Sequence, residues 1–183
     1  MITSLPLAQV AVGLGFGLFL IHAYLFYHYE KAGPWARAFP RADRLGGVLL
    51  ALATAWAAWL VGTMNLMEYT RFRLLFVLAA LGLGVTSWLY VREFIAVRAL
   101  GVLLLLGANV LLDACFLRED TLRLIVVAYA YGLIVAGMIM VGAPYLLRDA
   151  LGWALANPFR GKLLLFLGLV FGLVLLGLGV FAY

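Results

Sequence analysis

Charge, cysteine, serine and histidine are all scarce in this chain. Of its 183 residues only 11% are charged against 67% hydrophobic, and the mean hydropathy is +1.13. Soluble domains are about half apolar and ~25% charged, so this composition excludes a water-soluble domain and describes an integral membrane protein. The single cysteine, Cys115, excludes an intrachain disulfide, a CxxC pair and a haem-attachment CxxCH. Ser4 and Ser87 are the only serines, and neither stands in a GxSxG nucleophile elbow. Two histidines, and eight Asp and Glu scattered singly apart from Glu119-Asp120, provide no zinc-ligand spacing and no acid–base cluster. No metal site and no enzymatic activity are expected. MITSLPLAQ also lacks the basic n-region and cleavage site of a signal peptide, so it should stay as part of the first span.

What is present in abundance is apolar sequence. A membrane-crossing helix needs ~20 mostly apolar residues, and six such stretches follow one another, at about 7–27, 45–64, 74–90, 99–116, 124–141 and 163–181. No segment between them is large enough for a soluble domain, so residues 1–183 form a single polytopic membrane domain. The fourth span has a clear direction: Arg92, Glu93 and Arg98 precede an apolar run, which closes on Asn109 and Asp113, four apart and on one helical face. The loop KAGPWARAFPRADR carries Pro34 and Pro40, which argue against a continuous helix there and for a segment lying along the headgroups. Residues 145–160 read differently, as an amphipathic interfacial helix with Leu147, Leu151 and Leu155 on one face.

The loops after spans one, three and five hold Lys31, Arg37, Arg41, Arg44, Arg92, Arg98, Arg148, Arg160 and Lys162, nine of the thirteen basic residues. The positive-inside rule then places both termini on the non-cytoplasmic side. These cations sit beside apolar spans, where they set topology and meet anionic headgroups, so nucleic acid is not an expected partner despite the net charge of +5. The expected fold is all-α, six transmembrane helices arranged as three consecutive hairpins with short loops. RLGGVLL from Arg44, RALGVLL from Arg98 and RGKLLLF from Arg160 open the even spans. This recurrence reads as a triplicated hairpin, or as the same topological signal met three times.

Few residues carry candidate chemistry. Asn65, Glu68, Asn109 and Asp113 would form a polar outer vestibule for an ion or solute if they converge in space; a carboxylate within a span marks such paths. Asp113 also lies in a last turn near Arg118, where an interfacial ion pair is the plainer reading. His22 lies deeper in the first span than His28 and could ligate a chlorophyll or haem, or hydrogen-bond within the protein. Gly13 and Gly17, and Gly168 and Gly172, form GxxxG pairs that allow close helix approach, within the chain or against another subunit. The last span has no polar side chain before its final tyrosine and must face lipid, a pigment or another apolar helix.

These features favour a non-catalytic subunit of a larger bacterial-type membrane complex, respiratory or photosynthetic, in the inner membrane. Membrane lipids and other integral subunits, or self-association, are its expected partners. A small transporter or channel working through the polar vestibule is the alternative, and a lipid-handling membrane enzyme is a third.

Overall fold

The computed structural model describes residues 6–118 and 120–183. The chain is 88% helical, with no strand among the described residues. Eight helices follow in order: α1 (Leu7–Tyr27), α2 (Tyr29–Ala38), α3 (Asp43–Thr63), α4 (Arg73–Tyr90), α5 (Ile95–Cys115), α6 (Arg123–Gly142), α7 (Tyr145–Leu155) and α8 (Pro158–Phe181). Six of them, α1, α3, α4, α5, α6 and α8, are long and apolar enough to cross a membrane. An integral membrane protein is the consequence.

The local sequence accounts for where these helices start and stop. Asn157 accepts a 2.9 Å hydrogen bond from the Phe159 amide, and Pro158 takes the first helical position, so α8 opens with a side-chain cap followed by a preset φ. Glu30 and Asp43 lie in the first turns of α2 and α3, where the helix dipole favours negative charge. As expected, the segment after α1 is not one continuous helix, since it breaks at the Pro40 turn, but Pro34 does not interrupt it and lies inside α2. Proline there removes one bond, to the Glu30 carbonyl in the first turn. Against that single loss stand tertiary contacts of α2: Arg37 donates to the Leu155 carbonyl of α7 at 3.1 Å, and Tyr29 lies on Gly161 of α8. A short 3-10 turn, Phe39–Arg41, holds Pro40 and leads into α3.

Packing divides the chain into two compact units. One comprises Phe39–Ala108 with Leu133–Leu147; the described residues of the other are 6–38, 109–118, 120–132 and 148–183. In the first unit α3 and α4 are antiparallel: Gly47 faces Trp88, Gly84 faces Thr54 and Gly62 faces Val77. The same unit holds an antiparallel crossing of α5 and α6, where a Cβ on Gly101 would come within 2.8 Å of the Gly137 carbonyl oxygen, and the reverse.

In the second unit α1 runs antiparallel to α8 along its whole length. Ala8, Val12, Gly15, Phe19 and His22 follow at spacings of four, three, four and three, the repeat of a coiled-coil seam. Facing them are Gly179, Gly172, Gly168 and, beyond α1, Gly161 against Tyr29. A Cβ on Gly172 would stand 2.7 Å from the Phe19 amide nitrogen, and one on Gly15 would stand 2.8 Å from the Gly172 carbonyl oxygen. Only backbone against backbone fits this spacing. Lipid chains are as apolar as leucine, so contact of this kind, and not exclusion from water, holds the pair together.

Close contacts therefore join spans two and three, four and five, and six and one, and Gly46 of span two also meets Ile95 and Ala96 at the start of span four. Glycine position selected these partners: each even span carries a glycine near its opening, Gly47, Gly101 or Gly161, that seats the end of an odd span or the residue just beyond it, Trp88, Val141 or Tyr29. At the end of α8, the Tyr183 hydroxyl donates a 2.7 Å hydrogen bond to the Leu122 carbonyl. Burial pushes that phenol above its ordinary value, with Cys115 and Asp120 acting in the same direction.

Two outcomes follow. Gly172→Leu or Gly15→Leu should lower thermal stability in detergent, read by circular dichroism, by at least the ~1–3 kcal/mol typical of overpacking, whereas Gly13→Leu, with open space around it, should not. The raised phenol of Tyr183 contributes stability that is complete below about pH 10, its unfolded value, and is lost as pH rises through the folded one. Tyr183→Phe should therefore remove part of the alkaline loss of stability seen in the wild-type protein.

Candidate functional site

Helix ends in a membrane face a particular problem. The last four carbonyls of each helix have no partner within the helix, and in hydrocarbon no water replaces it. Four arginines meet this need. Arg98 donates to the Val141 carbonyl in the last turn of α6 at 2.9 Å, and Arg123 to Cys115, the last residue of α5, at 3.0 Å. Arg73 donates to Met64 at the end of α3 and Arg37 to Leu155 at the end of α7, both at 3.1 Å. A guanidinium at a helix C-terminus also complements the dipole. Arg73 and Arg98 each keep a buried Nε without a partner among the described residues, a cost that offsets part of what the cap contributes.

Other cations rest on aromatic rings. Arg92 lies over Trp88 at 5.4 Å, Arg71 over Phe72 at 4.7 Å, Arg160 over Trp153 at 5.0 Å and Lys162 over Tyr29 at 5.8 Å. Arg148 pairs with Asp149 at 2.7 Å. In the second unit these contacts gather where α1 passes into α2 and where α7 passes into α8. Tyr29 opens α2 with its hydroxyl buried over Gly161 and without a hydrogen-bond partner among the described residues.

Two concavities flank α2. The smaller, about 210 Å³, is apolar and lies between α2, α7 and α8, bounded by Leu25, Tyr29, Leu151, Leu155 and Leu164. The larger is an open groove of about 660 Å³ on the outer side of the α1–α2 elbow. Leu20, Ile21 and Leu25 form its apolar end, Tyr24 and Trp35 its aromatic walls, and His28 and Lys31 its polar end. His28 closes α1: its Nδ1 donates to the Tyr24 carbonyl at 3.2 Å, and its ring stands 4.5 Å from that of Tyr24 and 4.9 Å from that of Tyr27.

The residues singled out in the sequence fall as follows. His22 is half-buried on the face of α1 that meets α8, its Nδ1 donating to the Leu18 carbonyl at 2.8 Å. That bond fixes the tautomer and leaves the Nε2 lone pair as the ligating one. The ring lies against Gly168, where any Cβ would collide with Cδ2 and Nε2. The Nε2 edge thus faces α8 within the seam, and the missing side chain at 168 is what admits the ring. Gly172 meets Gly15 and Phe19. Gly13 and Gly17 have open space around them, so the glycine of α1 that packs on α8 is Gly15. The four-three heptad seam, rather than the GxxxG spacing, is the signal that identifies it.

Of the polar candidates, Asn65 is exposed and its Oδ1 accepts from the Met67 amide at 3.1 Å, a turn-forming contact after α3. Glu68 stands exposed in the 3-10 turn that follows. Asn109 and Asp113 are exposed on one face of α5. The first pair belongs to one compact unit and the second to the other. Among the described residues no three His, Cys, Asp or Glu side chains gather as a metal site.

The arginine caps lead to a direct test. Replacing Arg98 by Gln or Leu orphans a helix-end carbonyl and should lower stability by ~1.5–3 kcal/mol, the range for a hydrogen bond to a charged group. Replacing the exposed, ion-paired Arg148 by Gln should cost far less. Unfolding in a graded detergent series measures both. Compared with models of known protein families, with curated proteins and with solved structures, the chain matches none of them.

Proposed function

We propose that this chain is a non-catalytic integral subunit of a larger membrane assembly in a bacterial-type cytoplasmic membrane, with energy conversion as its setting and both termini on the non-cytoplasmic side. One observation carries the reading. The glycines of α1 divide between two faces: Gly15 is consumed by α8, whereas Gly13 and Gly17, four apart, lie on an open face beside exposed Phe16 and Leu20. Glycine costs ~1 kcal/mol relative to alanine within a helix. A glycine pair turned to lipid gains nothing for that cost, and one turned to a partner helix permits close approach. Gly82 on α4 has open space around it too, and α4 has no buried residue.

Bias of the basic residues supports the orientation.

Purification from native membranes in mild detergent, with mass spectrometry and an absorption spectrum of the intact particle, tests this. A stoichiometric partner should co-migrate, and Gly13→Leu with Gly17→Leu should release it while leaving the chain folded. A colourless particle made of this chain alone would contradict the proposal.

A further inference from the structure

Among the described basic residues of the second unit, all but Arg118 and Lys31 are engaged by protein groups, and of these two Lys31 lines the larger cavity described above. Arg37 and Arg123 cap helices, Arg148 pairs with Asp149, and Arg160 and Lys162 lie over rings. Lys31 makes no ion pair, side-chain hydrogen bond or ring contact among the described residues, yet it lines the open groove at the α1–α2 elbow. Its ammonium carries three donors. A groove so arranged is complementary to an anion with an apolar tail.

Position along the helices sharpens the chemistry. Leu20, Ile21 and Leu25 belong to the membrane-crossing α1, and Lys31 and Trp35 to the polar α2 that follows it. From Leu20 to Tyr27 the rise of α1 amounts to ~10 Å, and the chain then turns at His28 into α2. The groove thus runs from acyl-chain depth to headgroup depth, with Tyr24 and Trp35 at the level that aromatic side chains prefer. A volume of about 660 Å³ lies within the ~300–1,000 Å³ of small-molecule sites and accommodates a headgroup with the upper part of one chain.

We infer that the α1–α2 elbow is a binding site for one anionic phospholipid, its phosphate on Lys31 beside His28 and an acyl chain along Leu20, Ile21 and Leu25. This is independent of the subunit proposal and holds for the chain alone or in an assembly. With the orientation proposed above, the site lies in the cytoplasmic leaflet, where anionic lipid is recruited by lysine and arginine. Since the groove occupies a different side of α1 from the α8 seam, a lipid enters without separating the two helices.

The test uses the purified full chain, delipidated in detergent and titrated with phosphatidylglycerol or phosphatidylcholine under native mass spectrometry. Wild-type protein should prefer phosphatidylglycerol, and Lys31→Gln should reduce that preference about fivefold, the equivalent of ~1 kcal/mol per basic residue at an anionic surface. Arg148→Gln, which removes the same net charge elsewhere, should leave it unchanged. Ile21→Trp fills the apolar end and should weaken both lipids. Brominated phosphatidylglycerol should quench wild-type tryptophan fluorescence more than that of Trp35→Phe.

An unchanged preference in a folded Lys31→Gln protein would overturn the assignment. So would an equal loss in Arg148→Gln, which would mean diffuse attraction, or equal quenching with and without Trp35. Circular dichroism of each variant separates loss of binding from loss of fold.

Discussion

Close backbone contact between α1 and α8 is the constraint on which the second unit depends. In a bilayer, helices gain nothing by leaving lipid for one another unless they fit better together than lipid fits either. Here the fit is made by absent side chains: Gly15 and Gly172 face each other, Gly168 receives the His22 ring, and Gly179 receives Val12. Once that seam is set, the remaining features of α1 have fixed directions. His22 lies on the seam, Tyr29 continues it onto Gly161, and the groove from Leu20 to Lys31 opens on another side. One helix thus serves internal packing with one face and offers lipid or a partner the other.

The arginines follow the same logic of unsatisfied groups. A positive charge near a span is costly unless it is paired or reaches water, and a helix-end carbonyl in hydrocarbon is costly unless it is paired. Each of Arg37, Arg73, Arg98 and Arg123 pairs its charge with a helix-end carbonyl in one hydrogen bond, half-buried for Arg98 and Arg123 and exposed for Arg37 and Arg73. Their number and placement in the sequence look like topological signals. Two of the four basic residues in the connections after spans two and four, Arg73 and Arg123, cap helices in the structure, so loop charge here reflects packing.

Much of the secondary structure was legible from hydropathy because the spans must be long, apolar and uninterrupted. Leu7–Tyr27 is both the expected first span and the observed α1. Pairing was less accessible, since hydropathy does not say which face of an apolar helix meets which neighbour. Counting GxxxG pairs selected Gly13 and Gly17. Yet in GLGFG successive glycines point in different directions, and it is Gly15 that lies on the seam with Val12 and Phe19. The arginine caps depend on contacts such as Arg98 with Val141, 43 residues apart, and no local pattern announces them. That Pro34 lies inside α2 has a related cause, because tertiary contacts with α7 and α8 offset a local penalty.

The most direct measurement of this account is disulfide cross-linking in native membranes on a Cys115→Ala background. Cysteines at Val12 and Gly179 should join within one chain on mild oxidation, because Val12 stands against Gly179 in the seam. Cysteines at Gly13 and Gly179 should not, because Gly13 faces open space. Equal cross-linking of the two variants, or joining only between chains, would mean that α1 does not pack on α8 by the Gly15 face, and the division of α1 into two faces would fail with it.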